Sequence, residues 1–175
     1  MRKLIFVLFT ALLVGCHKES NSGLYWGEAN ALKNGIPWSP KPFAAFEPEK
    51  WGEDYIDVGL RIFDGDDFLR EELSFLKIPM EVGVYNIEPV RLNNVSTSVG
   101  SSYYTFQDDG HILGDTFVVD TTVIENKVEV LSFNKSEGKI EIKFSATYVI
   151  SQRQTNESPD TVRFENGYVN TKTHN

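Results

Sequence analysis

The chain has 175 residues, 41% hydrophobic and 24% charged, with a formal net charge of −8. That length suits one domain with a core of its own, and the acidic balance excludes the basic surface a nucleic-acid binder needs to neutralise phosphates. One cysteine excludes an intramolecular disulfide and any cysteine-rich zinc site, while 12 Phe, 7 Tyr and 3 Trp favour strands.

In chain order, Arg2 and Lys3 make a basic start, and Leu4 to Val14 is apolar apart from Thr10. A run of about 11 residues is too short to span a bilayer, which takes about 20, and has the length of a signal-peptide core. Leu13-Val14-Gly15-Cys16 then resembles the lipobox of bacterial lipoproteins. That resemblance implies that the Cys16 thiol carries a diacylglyceryl group and that residues 1–15 are cut away. It also accounts for the lone cysteine, because a thioether escapes the oxidation a free thiol meets outside the cytoplasm. Burying each CH₂ gives about 0.8 kcal/mol, so one acyl chain holds marginally and several on one residue hold firmly. Losing Arg2 and Lys3 with the signal takes the formal charge from −8 to −10. The acyl chains, rather than a basic patch, are then expected to hold the protein to its membrane. His17-Lys18-Glu19 resembles the lysine-plus-acidic export signal of Bacteroidota surface lipoproteins, although that signal carries two or more acidic residues and here Ser20 follows Glu19. The expected address is a lipid anchor in the outer membrane, at the periplasmic face or the cell surface. Residues 16–23 read as the lipidated cysteine and a polar tether, and 24–175 as one β domain.

In "ANALKNGIPWSP" the dipeptide Asn34-Gly35 predicts a hairpin turn. Pro37, Pro40, Pro42 and Pro48 then argue against a helix and for irregular or edge segments. From Tyr55 to Phe63, Ile56, Val58, Leu60 and Ile62 alternate with Tyr55, Asp57, Gly59, Arg61 and Phe63, which predicts a strand with one inward face. "DGDD" at 64–67 is a turn, and "REELSFLKIP" at 70–79 fits either the start of a helix or a short strand. Strands are predicted at 82–87, 101–106 and 115–123, with "QDDGH" as a turn between the last two. The clearest hairpin runs over 127–150, turning at "NKSEG". In its second strand Ile140, Ile142, Phe144, Ala146, Tyr148 and Ile150 share one face, and Lys139, Glu141, Lys143, Ser145 and Thr147 share the wet one. "QRQTNESPD" is a polar loop, "TVRFENGYVNT" a last strand with a bulge at Asn166-Gly167, and "KTHN" a frayed end. No helical period exceeds two turns. The expected fold is all-β, an antiparallel β-sandwich or curled β-barrel of about eight or nine strands. "NGIPWSP", "KIPMEVGVYNI", "VEVLSFNKSEGKIEIKFSAT" and "DTVRFENGYV" together resemble a group of small Bacteroidota lipoproteins of unknown function. That likeness covers nearly all of the mature chain. It implies an anchored β domain and carries over no catalytic residue.

The chemistry visible in the sequence is sparse. His17 lies in the tether and His174 is penultimate, so only His111 could work in a site, and no nucleophile elbow accompanies it. Asp64, Asp66, Asp67, Glu71 and Glu72 crowd one stretch, but Phe68 and Leu69 stand where a calcium loop needs Asp and Gly, so a solvated turn is the better reading. "QDDGHILGD" reads the same way. No metal site, cofactor or catalytic set is expected. Trp26, Trp38 and Trp51 lie in the N-terminal third and could stack on sugar rings, with the protein core as the competing place for them. Asp120-Thr121-Thr122 and Asp160-Thr161-Val162 resemble the O-glycosylation motif of exported Bacteroidota proteins, which makes Thr121 and Thr161 candidate acceptors. The expected function is a non-catalytic binding or structural module whose partners are the membrane, through the anchor, and a glycan or envelope protein. The alternative is a carbohydrate-active or other hydrolase using carboxylates in a cleft.

Overall fold

Alternating apolar residues make the strands of this chain, and turn residues with short polar side chains decide where each one reverses. The computed structural model describes residues 24–90 and 98–173. The expected signal peptide, Cys16, the tether to residue 23 and the tail with His174 lie outside the described residues.

Among the described residues eleven strands follow one another: β1 (Glu28–Lys33), β2 (Ile36–Trp38), β3 (Lys41–Ala45), β4 (Tyr55–Phe63), β5 (Leu69–Pro79), β6 (Gly83–Pro89), β7 (Val99–Gln107), β8 (Ile112–Val119), β9 (Lys127–Asn134), β10 (Lys139–Gln152) and β11 (Thr161–Lys172). They form one sheet in the order β2-β1-β11-β10-β9-β6-β7-β5-β4-β3, with β8 between β10 and β7. Every pair is antiparallel except a short parallel contact of β6 with β7. The sheet curls until Ala44, in the end strand β3, bridges Thr173 just past β11. The fold is therefore all-β and curled into a partial ring, as the alternation predicts. The strand count exceeds the expected eight or nine because the proline-rich stretch still pairs. Its two short strands lie at the two ends of the path, β2 with Pro37 and β3 with Pro42, where a missing N–H leaves no gap in a ladder. Pro48, expected to prevent a helix, instead opens the single helical turn α1 (Pro48–Trp51), at a position whose N–H would have no partner.

Asn34 and Gly35 both take positive φ (51° and 78°), the backbone of a tight hairpin turn, and join β1 to β2. On β10 the predicted inward residues Ile140, Ile142, Phe144, Ala146 and Tyr148 are buried, and Lys143 between them is exposed. The bulge expected at Asn166-Gly167 is present. The ladder of β10 with β11 shifts register there, and Asn166 has φ 52°. "REELSFLKIP" is strand throughout.

Two local expectations fail for one reason, side chains that bind backbone. The strand expected to 123 stops at Val119 because Asp120 Oδ1 accepts both the N–H and the hydroxyl of Thr122, closing a turn. Thr147, expected on the wet face, is buried, and its N–H donates to Asn126 Oδ1 at 2.7 Å. Asn126 also donates to the Asp120 carbonyl and accepts the Ile87 N–H on its own carbonyl. It fills the fork where β10 leaves β9 and takes up β8 on the same edge.

An aromatic cluster fills the interior. The Tyr103 ring lies 5.2 Å from Phe117 and 5.3 Å from Phe164, and Tyr148 lies 5.9 Å from Phe164. Such pairs add about 0.5–1.5 kcal/mol each beyond the area they bury. The buried Tyr148 hydroxyl pairs with Ser101 Oγ at 2.6 Å, so it is not left unsatisfied.

Candidate functional site

Three places gather side chains that could act on a partner. The first is at the end of the curled sheet where β3 and β11 close. Phe46 follows β3, Ile56 is the second residue of β4, Met80 follows β5 and Phe133 is the penultimate residue of β9. With Lys135, Ser136 and Gly138 of the β9–β10 turn and Thr173, they line a cavity of about 350 Å³. That lies at the small end of the roughly 300–1,000 Å³ typical of ligand pockets. Ile56 is fully buried and forms the floor, while Phe46 is 43% exposed at the mouth. Gly138 takes φ 61°, and a Cβ there would meet the Thr173 hydroxyl, so glycine lets the turn and the end of the C-terminal strand approach without moving that side chain. Thr173 N–H donates to the Gly138 carbonyl at 3.0 Å and holds the two together. Among the described residues the lining contains no carboxylate. Its one cation, Lys135, is exposed at the rim and forms no ion pair among the described residues. The site can take an apolar group, with one positive charge and two hydroxyls at its edge.

The second place lies inside the opposite end. Lys33 Nζ donates to Glu71 Oε1 at 2.6 Å and to the Tyr103 hydroxyl at 3.0 Å, and Trp38 Nε1 donates to Glu71 Oε2 at 2.9 Å. Burial, and then the neighbouring Glu71 carboxylate, push the Tyr103 phenol far above its ordinary range, so it stays neutral. These groups satisfy one another and tie the β1–β2 hairpin to β5 and β7, which is a structural task.

The third place is the outer face of β9–β11. Two adjoining grooves of about 510 and 530 Å³ share Glu125, Ser145 and Asn166. Glu165 and Arg163 line one, and Glu129, Lys127 and Lys143 the other. Three carboxylates, those of Glu125, Glu129 and Glu165, line these grooves.

Two buried carboxylates serve the fold. Asp57 sits beneath α1, accepts the Lys77 N–H at 2.7 Å and the Trp51 indole N–H at 3.1 Å, and so satisfies the bulge at Lys77, whose φ is 61°. Burial raises its pKa, and those two hydrogen bonds offset part of the rise. Asp115 has no exposed surface. It accepts the N–H groups of Gln154 and Thr155 and the Thr155 hydroxyl. Burial alone would raise its pKa, but hydrogen bonds from the Ser158 and Thr155 side chains and the two N–H groups outweigh it and hold the carboxyl well below the usual range.

The residues singled out in the sequence are scattered among these places. Trp38 is buried with its ring 4.8 Å from Phe164. Trp51 covers Asp57, and Trp26 is exposed, with Lys139 and Lys172 over its ring. No two of the three are brought together as a stacked pair among the described residues. Thr121 is exposed in the turn after β8, and Thr161 is exposed at the start of β11. His111 is exposed, and its N–H donates to Asp109 Oδ1 in the β7–β8 turn. Asp64 binds the Asp66 and Phe68 N–H groups and Arg70, and Glu72 pairs with Arg61 at 2.7 Å. Among the described residues no group of three or more His, Cys, Asp or Glu side chains is placed to hold a metal ion, and no helix is long and apolar enough to cross a membrane. Sequence reasoning missed the end cavity. Phe133 and the "NKSEG" turn are legible as a hairpin, but nothing in the sequence marks Phe46 or Met80 as their neighbours.

No family model matches the chain, and no solved structure matches it. Among curated proteins it is similar to terpenoid synthase 17 of Arabidopsis thaliana, 29% identical over 105 residues. That match covers 54% of this chain and 17% of the synthase, a likeness that assigns no family.

Proposed function

We propose that this protein is a lipoprotein anchored through Cys16 in the outer membrane of a bacterium, at its periplasmic face or the cell surface. Its β domain is a non-catalytic binding module that takes an apolar group into the end cavity. The observation that carries the binding reading is the lining: four apolar side chains from separate parts of the chain, no carboxylate, and Lys135 at the rim. The anchor reading rests on the basic start, the apolar run, the lipobox-like Leu13-Val14-Gly15-Cys16 and the polar residues after it. A photoreactive alkyl probe added to membranes bearing the full chain should label Phe46, Met80 or Phe133 saturably. Phe46→Asp, at an exposed position, should weaken labelling by roughly tenfold or more, since a charge in an apolar mouth must be desolvated. Labelling that is dispersed over the surface, or indifferent to Phe46→Asp, would sink this reading.

A hydrolase is the second reading, favoured by Glu125, Glu129 and Glu165 in the adjoining outer grooves. Hydrolysis of a glycoside panel that is lost in Glu125→Gln or Glu165→Gln would replace the first reading with this one. Exposure of Thr121 and Thr161 also suits the glycan acceptors their motifs suggest. Mass spectrometry of protein from its native host, with no hexose on either threonine, would reject that assignment.

A further inference from the structure

Lys139 and Lys172 are directly opposite one another in the β10–β11 ladder. Like charges so placed repel and destabilise a sheet. Neither amine meets a carboxylate among the described residues. Both lie instead over the ring of Trp26, at 5.6 Å and 4.9 Å from its centroid. Glu141, two residues along β10 from Lys139, forms no ion pair with either amine and accepts the hydroxyls of Tyr168 at 2.8 Å and Ser132 at 3.2 Å. A chain of formal charge −8 thus keeps two cations side by side, flanking an exposed indole. An anionic partner would relieve the repulsion, and an indole suits the boundary between apolar and aqueous phases.

Position names the partner. Trp26 and the exposed Leu24 begin the described chain, beside the end cavity, where Gly138 and Thr173 adjoin Lys139 and Lys172. From Cys16 to Leu24 the chain runs eight residues. At about 3.3–3.6 Å each they reach at most about 29 Å. A lipid on Cys16 therefore keeps this end of the sheet close to the bilayer. We propose that Trp26, Lys139 and Lys172 form a contact surface for anionic lipid headgroups, so that the domain rests with this rim and its cavity towards its own membrane. The proposal takes the place of the bilayer from the anchored reading above. The lysine pair supplies the local attraction that the acidic mature chain lacks overall, and salt should screen it.

The test uses the full chain purified from membranes and placed in phosphatidylcholine vesicles carrying a quenching spin label near the headgroup, with or without phosphatidylglycerol. Tryptophan quenching should rise several-fold when phosphatidylglycerol is present. It should fall back in high salt and in the Lys139→Gln/Lys172→Gln double variant, and Trp26→Phe should remove the quenched component. The double variant exchanges a repulsion for two lost contacts over the Trp26 ring, so retained β-sheet circular dichroism and a cooperative melt, rather than an unchanged melting temperature, separate loss of contact from unfolding. Equal quenching in the two vesicle types, or a phosphatidylglycerol effect that survives the double substitution, overturns the proposal. The intact mass of the same sample reports the lipid on Cys16 separately. A chain without lipid refutes the anchor, while the comparison of vesicles still decides whether the rim binds anionic headgroups.

Discussion

Replacing Asp115 by Asn removes one formal charge from the interior and almost no volume. In the native chain its Oδ1 accepts two N–H groups, from Gln154 at 2.5 Å and Thr155 at 2.8 Å, and Oδ2 accepts the Thr155 hydroxyl at 2.6 Å. These bonds fasten the 153–160 loop to β8. An Asn amide can keep its oxygen towards the two N–H groups, but its NH₂ then faces Thr155 and the bonds lose their charge. Hydrogen bonds to charged groups are worth about 1.5–3 kcal/mol and neutral ones about 0.5–1.5, so the three together should lose roughly 3–4.5 kcal/mol. For a domain of this size that lowers the melting temperature by roughly 5–15 °C. The pH dependence gives a sharper check. Because the folded pKa lies below the unfolded value of about 3.9, the contribution is complete above about pH 5 and fades as acid protonates the carboxylate. Asp57 has the opposite sign. Its raised pKa favours the folded state most when it is protonated, and that contribution is lost as pH rises. The wild-type profile therefore mixes two trends, and the difference between wild type and Asp115→Asn isolates one of them. Urea melts of both proteins from pH 7 down to about pH 3 should show that difference shrinking at the acid end. A difference that stays constant, or a variant as stable as wild type at pH 7, would refute the role given to this carboxylate.

Two further outcomes are expected. Phe144 is buried with its ring 4.9 Å from that of Phe75, so Phe144→Ala should cost about 3–5 kcal/mol, whereas the exposed Lys143→Ala should change stability by less than about 0.5 kcal/mol. Paired thermal melts decide it, and a loss in Lys143→Ala with none in Phe144→Ala would mean that the strand's faces are exchanged. Cys16→Ser should yield an unprocessed chain without lipid, absent from the outer-membrane fraction, and a mature-size, lipid-labelled variant in that fraction would exclude the lipobox reading.

What the sequence made legible here depends on the range of the interaction that settles each segment. Strand β10 could be read because Lys143 and its neighbours on one face are wetter than the buried Ile142 and Phe144, and β4 because apolar Ile56, Val58 and Leu60 alternate with polar or small residues, although Asp57 and Gly59 on its other face are also covered. The Asn34-Gly35 turn and the bulge at Asn166-Gly167 are equally local, being consequences of backbone angles that few residues accept. The start of β5 could not be settled that way. Arg70, Glu71 and Glu72 suit a helix as well as a strand, and what places them in the sheet is distant: Lys33 and Trp38 for Glu71, Arg61 for Glu72. The end of β8 departs from its sequence pattern because a run of Val, Asp and Thr suits a strand, whereas Asp120 spends its side chain on closing a turn. The cavity is the extreme case. Phe46, Ile56, Met80 and Phe133 become neighbours only when the sheet curls far enough for Ala44 to meet Thr173. Each reads locally as an ordinary apolar residue of a strand or its edge. Their shared chemistry belongs to the closure of the sheet, and the closure turns on contacts as small as Gly138 against Thr173. A site of this kind leaves no motif, because no two of its apolar residues need a fixed spacing along the chain to meet in space.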